Sequence, residues 1–229
     1  MNLKDFLYGR AQDVLKRWSR SGVEEFISEI LKEDKFQKRK MLVVGGYGRV
    51  MTYIKKTFPN DDIMALDVNA DFKPDITADL SASDLLEHIE MRFDVIIVVE
   101  VLEHISNFSS ALKNMNTLLN NGGVLIGTTP WSTPLHDKPF DFYRYSYFQI
   151  QEMLLKNSFS NIKLECRGNL LDSIIYLGLR GLKSWGIKGK LTFLIFAPIS
   201  LLMRKPKRYG EIQDSCLGYN FAANKFQLC

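Results

Sequence analysis

Cysteine is scarce and scattered: Cys166, Cys216 and Cys229 form no CxxC pair. That excludes a zinc knuckle and points away from a disulfide framework, toward a reduced, cytoplasmic setting. Long apolar runs are also missing. The longest, Leu191 to Met203, has 13 residues and is interrupted by Thr192, Pro198 and Ser200, whereas a helix needs about 20 to cross hydrocarbon. The opening Met1-Asn2-Leu3-Lys4-Asp5 has no apolar secretory core, so no signal peptide is expected. Neither sign of charge dominates. With 30 Lys and Arg against 26 Asp and Glu, the net charge of +4 does not call for a nucleic-acid partner. No internal repeat or low-complexity tract is visible.

What is present, 46% hydrophobic and 24% charged residues over 229 positions, is the profile of an ordinary globular chain with a full core. The positive charge is unevenly spread. Residues 170–208 hold eight basic residues (Arg180, Lys183, Lys188, Lys190, Arg204, Lys205, Lys207, Arg208) and one acid, Asp172.

Residues 1–39 read as helical. Phe6, Leu7, Val14, Leu15 and Trp18 recur at helical spacing, and Ser21-Gly22-Val23-Glu24 has the form of a capping box opening a second helix. From Met41 onward, short apolar runs alternate with helical stretches. Strands are predicted over 41–44, 63–66, 76–78, 93–99, 124–128 and 162–166. Helices are predicted over 50–58, 85–91, 108–119 and 148–155, with a turn at Asn120-Asn121-Gly122-Gly123. Such alternation implies right-handed crossovers and a doubly wound, mostly parallel sheet. A last strand pattern resumes at 216–223, so 170–209 reads as an apolar and basic helical insertion before it. The expected organisation is therefore N-terminal helices over 1–39, a nucleotide-binding domain over 40–169 and 210–229, and the insertion.

A parallel sheet of this kind binds its ligand beyond the carboxyl ends of its strands. Gly45, Gly46 and Gly48 follow the first strand and let the backbone approach a ligand closely. Asp67, 22 residues after Gly45, ends the second strand at the spacing of a carboxylate that accepts from ribose hydroxyls. Asp79 and Leu80 follow the third, offering a carboxylate and a backbone N–H to a base. The dinucleotide fingerprint fails at its last position, where Met51 stands instead of a small residue, which disfavours an NAD-dependent dehydrogenase without removing it.

Taken together, these residues resemble the class I S-adenosylmethionine-dependent methyltransferases. The likeness covers 40–168 and returns at 216–225. Its carriers are Val43 to Gly48, Asp67, Thr77-Ala78-Asp79-Leu80, Phe93-Asp94-Val95-Ile96-Ile97, Glu100-Val101-Leu102-Glu103-His104-Ile105, Asn121-Gly122-Gly123-Val124-Leu125-Ile126 and Gly218-Tyr219…Lys225. The resemblance implies a Rossmann-like sheet of seven strands with the last reversed. It also implies a cofactor, S-adenosyl-L-methionine, held by Gly45, Gly46 and Gly48 at its methionine part, Asp67 at its ribose, Asp79 and Leu80 at its adenine, and Glu100 nearby. Val43 and Arg49 stand where the family has an acid and a small residue. A catalytically silent cofactor-binding module is the alternative from another class.

The stretch Pro130 to Tyr145 is dense in aromatic and polar groups and resembles the substrate-side loop of bacterial methyltransferases of surface-glycan assembly, which implies O-methylation of a glycan or lipid-linked sugar. A hydroxyl acceptor must lose its proton, and histidine, with an unperturbed pKa of about 6.5, is suited to take it. Of the three histidines, His88 falls on a charged helix, while His104 and His136 fall near the mouth. His104, His136 and Arg144 are the catalytic candidates, although His136 and Arg144 could simply pair with Asp137 and Asp141. A metal alternative uses Glu100, Glu103 and His104, at i, i+3 and i+4, with His136, a donor set suited to Mn²⁺ or Fe²⁺. The segment 170–208 reads as a lid, a homodimer face or an element lying peripherally on the inner face of a membrane. No nucleic acid is expected.

Overall fold

The computed structural model describes residues 19–32, 38–45, 47–182, 186, 188, 189, 191, 192, 195 and 206–226. The expected first helix, Gly46 and most of the 191–203 run lie outside them. In chain order the regular elements are α1 (Val23–Lys32), β1 (Lys40–Val44), α2 (Arg49–Thr57), β2 (Asp62–Asp67), β3 (Ile76–Thr77), α3 (Leu85–His88), β4 (Phe93–Val99), α4 (Phe108–Leu118), β5 (Leu119–Pro130), α5 (Tyr147–Lys156), β6 (Phe159–Arg167), α6 (Leu170–Gly181), β7 (Arg208–Tyr209) and β8 (Gly218–Lys225).

Among the described residues the strands hydrogen-bond in the order β3-β2-β1-β4-β5-β8-β6-β7, eight rather than the expected seven. The additional strand is β7, whose two residues pair antiparallel with Cys166 and Arg167 of β6. A two-residue strand has no hydrophobic period to read, so it left no trace in the sequence. β1, β2, β3, β4 and β5 pair in parallel.

The chain forms two compact units. The larger comprises Glu24–Thr129, Asp137–Leu164 and Asn220–Cys229. Its central strands are covered on both faces, which is why β1 and β4 are nearly unbroken apolar runs: Met41, Leu42, Val95, Ile96, Ile97 and Val98 are fully buried. Polar clamps start these strands. Asp94 accepts from the Lys40 backbone N–H at 2.9 Å and from Asn120 Nδ2 at 2.8 Å. Buried Arg39 donates to Asp61 and, at 2.7 Å, to the Leu31 carbonyl. The expected turn at Asn120–Gly123 is instead an irregular stretch inside β5, where the register against β4 shifts and Gly122 takes φ 76°. The ladder absorbs the two glycines as a bulge.

The expected capping box does not form. Helix α1 starts at Val23 after Gly22 at φ 88°, and Glu24 accepts instead from Arg49 at 2.5 and 3.0 Å.

The smaller unit comprises Met1–Val23, Pro130–His136 and Glu165–Tyr219. It is held by backbone bonds from Gly168 to Lys207 (2.7 Å), Leu217 to Arg167 (2.8 Å) and Trp131 to Leu217 (2.9 Å). Asn169 and Asp172 close a capping box that opens α6. Fully buried Cys166 and Cys216 bring their thiols into hydrogen-bonding contact. That contact lowers the Cys166 thiol to about 7 and pushes the Cys216 thiol up.

Candidate active site

The strand order reverses between β1 and β4, and a crevice at the carboxyl ends of strands opens at such a point. The residues placed there belong to the larger unit. Gly45 leaves β1 at φ 67°, its N–H bonded to the Leu66 carbonyl at 2.9 Å. A Cβ at Gly45 would lie 2.8 Å from Val101 Cγ2, so the side-chain-free backbone is required. Gly48, at φ 76°, caps α2 and faces open space. Its neighbour Arg49, drawn to Glu24, holds its guanidinium above its ordinary value through that hydrogen bond.

On the adjacent strand Asp67 is 8% exposed, and its Oδ1 accepts from the Asn69 backbone N–H at 2.8 Å. This bond orients the carboxylate at the tip of β2 and leaves Oδ2 able to accept from a ligand hydroxyl. Asp79 is spent partly on its own turn, accepting from Ser81 N and Oγ, both at 2.8 Å. Leu80 is buried. Asn114 of α4 donates to the carbonyls of Leu80 and Ala82, both at 2.9 Å, and so fixes the turn that carries the Leu80 N–H. No sequence signal marked Asn114, because its partners lie over 30 positions away. Exposed Tyr47 and Phe72 stack at 3.8 Å beside this region.

Glu100 follows β4 at φ 53°, a left-handed conformation that costs a non-glycine residue about 1–3 kcal/mol. Thr128 of β5 holds it there. The Glu100 N–H reaches the Thr128 carbonyl at 3.1 Å, and Thr128 Oγ1 donates to Glu100 Oε1 at 3.0 Å. The bare glycine backbone, the Asp67 carboxylate and the strained Glu100 occupy three neighbouring strand ends. Two carboxylate acceptors thus flank a side-chain-free stretch of backbone.

On the far side of β4, residues 102–104 form a 3₁₀ turn onto which the aromatic loop is laced. Phe142 N–H donates to the Glu103 carbonyl at 2.8 Å, Tyr143 Oη to Ser106 at 2.7 Å and Tyr145 Oη to Leu102 at 3.0 Å. Burial pushes the Tyr145 phenol up, with Tyr143 and Glu103 adding. His104 Nδ1 lies 2.8 Å from the Phe140 carbonyl. A carbonyl only accepts, so Nδ1 carries the hydrogen and Nε2 is the basic nitrogen. The carboxylates of buried Glu103 and exposed Asp137 stand 3.6 and 3.9 Å from Nε2.

Arg144 makes two bonds to Asp141, 2.6 and 2.8 Å, and that pairing holds its guanidinium above the ordinary value, against burial and with help from Asp141, Glu103 and Glu100. It is a fixed cation that anchors the loop. His136 lies in the smaller unit, its Nδ1 3.3 Å from the Pro134 carbonyl. Glu103 and His104, two of the four metal candidates, are neighbours, and Glu100, a third, accepts from Thr128 through Oε1.

A family model described as a methyltransferase domain matches residues 16–162, more than half of the chain. No curated protein matches it. Among solved structures, phosphoethanolamine N-methyltransferase 2 of Haemonchus contortus, in complex with S-adenosyl-L-methionine, superposes with TM-score 0.53 at 16% identity over 87% of this chain and 52% of its own. This chain thus spans about half the length of that enzyme. A SAM-dependent methyltransferase from Archaeoglobus fulgidus gives TM-score 0.57 at 14% identity, covering 90% and 94%. The O-methyltransferase of a trans-AT PKS multienzyme of Brevibacillus brevis, with S-adenosyl-L-homocysteine, gives 0.57 at 14%, covering 99% and 80%. At these identities the likeness establishes the fold, a Rossmann-like α/β sheet.

Proposed function

Because this chain belongs to the methyltransferase-domain family, we propose that it methylates a hydroxyl oxygen of a glycan or lipid-linked sugar in the cytoplasm, with S-adenosyl-L-methionine as methyl donor. The observation that carries the donor reading is the positive-φ, side-chain-free backbone at Gly45 beside the Asp67 carboxylate. Gly45, Gly46 and Gly48 admit the amino-acid part, and Glu100 accepts from its ammonium. Asp67 accepts from the ribose hydroxyls. Asp79 and the Leu80 N–H, steadied by Asn114, face the adenine. When bound, S-adenosyl-L-methionine supplies an electrophilic sulfonium methyl.

The remaining work is alignment and proton removal. An in-line displacement gains most from holding the acceptor oxygen in place. Exposed Phe140 and Phe142 offer ring faces on which the C–H face of a sugar can pack. His104 takes the hydroxyl proton at Nε2, the nitrogen left basic by the Phe140 carbonyl. Glu103 and Asp137 stand beside the positive charge that then appears. Arg144 and Asp141 hold the loop in register.

The test is release of S-adenosyl-L-homocysteine from the full chain in the presence of candidate acceptors. Stimulation by a glycan or a polyprenyl-linked sugar, with mass gain of one methyl on its oxygen, is the expected result. Donor binding without turnover on any acceptor would instead leave a silent binding module.

A further inference from the structure

Helix α6 is built inside out. At 100° per residue, Leu170, Leu171, Ile174 and Leu177 share an arc of about 120°, and they are 50%, 54%, 59% and 42% exposed. The opposite face carries Asp172, Ser173, Tyr176 and Leu179, all below 9% exposure. Polar bonds hold that inner face: the Asn169–Asp172 capping box, and Ser173 Oγ, which accepts from Ser215 Oγ at 3.4 Å. The helix therefore turns its aliphatic side outward, and Leu191 and Ile195 beyond it are also exposed, at 46% and 62%.

Charge decides what covers this face. Residues 170–208 carry net +7, leaving the rest of the chain at −3, and Lys188 and Lys207 are exposed. A second copy docking symmetrically would bring like charges, Lys188 and Lys207 among the described residues, toward each other. A nucleic acid would match the charge and leave the leucines and isoleucines in water. An anionic bilayer surface satisfies both features, taking aliphatic side chains at the acyl boundary and cations among the headgroups. Among the described residues no helix is long and apolar enough to cross a membrane.

We propose that α6 is a membrane-surface docking element, which seats Leu170, Leu171, Ile174 and Leu177 in an anionic lipid leaflet. The proposal is independent of the acceptor's identity.

The full chain is floated with vesicles of phosphatidylcholine alone and of phosphatidylcholine with phosphatidylglycerol. Binding to the anionic vesicles should exceed binding to the neutral ones at least about ten-fold at low salt and weaken as salt is added. Ile174→Asp should lower it at least about ten-fold, with melting temperature and S-adenosyl-L-homocysteine affinity unchanged. Leu171→Gln serves as the milder variant should Ile174→Asp misfold. Three results would overturn the proposal: no flotation of the wild type at low salt, flotation undiminished in both variants, or a dimer that Ile174→Asp dissolves without any lipid binding.

Discussion

Replacing Gly45 with alanine probes the strand-end cradle at one atom. Two costs follow from the geometry. The residue sits at φ 67°, where an L side chain costs roughly 1–2 kcal/mol. The added methyl would meet Val101 Cγ2 at 2.8 Å, and relieving such overpacking adds about 1 kcal/mol. Together these predict a loss of about 2–3 kcal/mol, or a fall in melting temperature of roughly 5–10 °C for a chain of this size. Removing the neighbour in Gly45→Ala/Val101→Ala should restore the contact part, about 1 kcal/mol, and leave the dihedral part. Thermal melts followed by circular dichroism give the stability term, and calorimetric titration with S-adenosyl-L-homocysteine gives the binding term. The cradle reading expects affinity to drop at least about ten-fold in both variants, because a methyl now occupies the approach of the ligand. Unchanged affinity in a destabilised Gly45→Ala would refute the reasoning, reducing Gly45 to a tight turn.

Asp67→Ala should weaken S-adenosyl-L-homocysteine about 100-fold, the loss of two charge-assisted bonds to one ligand, measured by the same titration. His104→Gln should cut turnover about 10²–10⁴-fold with donor affinity held; His136→Gln should cost much less. Gly127→Ala would place its Cβ 2.1 Å from Phe221 Cζ, in a ring only 1% exposed. It should destabilise the chain by about 3 kcal/mol in urea unfolding, with partial recovery in Gly127→Ala/Phe221→Leu. Exhaustive chelation should leave turnover intact, since in the proposed reaction His104 Nε2 itself takes the proton; loss of activity restored by Mn²⁺ would favour the metal alternative.

The sheet was legible wherever a local period announced it. The buried runs of β1 and β4 read as strands because both faces are covered, and the glycines after β1 marked the turn that positive φ demands. Where pairing joined distant positions the sequence was silent. The β7 strand exists through its bonds to Cys166 and Arg167, some 40 residues away. Glu24 had a capping partner in sequence, and Arg49 outcompeted it with a charge-assisted pair. The glycine-rich stretch in β5 had the composition of a turn, and the parallel partner β4 drew it into the ladder. At the site, the carboxylates and His104 were legible by type and position, whereas what orients them was not. Thr128 for Glu100, Asn114 for Leu80 and the Phe140 carbonyl for His104 are all contacts over 25 residues or more.

The most direct test of the central claim is a crystal structure of the chain with S-adenosyl-L-homocysteine. The nucleoside should lie across the ends of β1, β2 and β4, its ribose hydroxyls on the Asp67 carboxylate and its amino group toward Glu100. A nucleoside bound elsewhere, with Asp67 bonded only to Asn69, would contradict it.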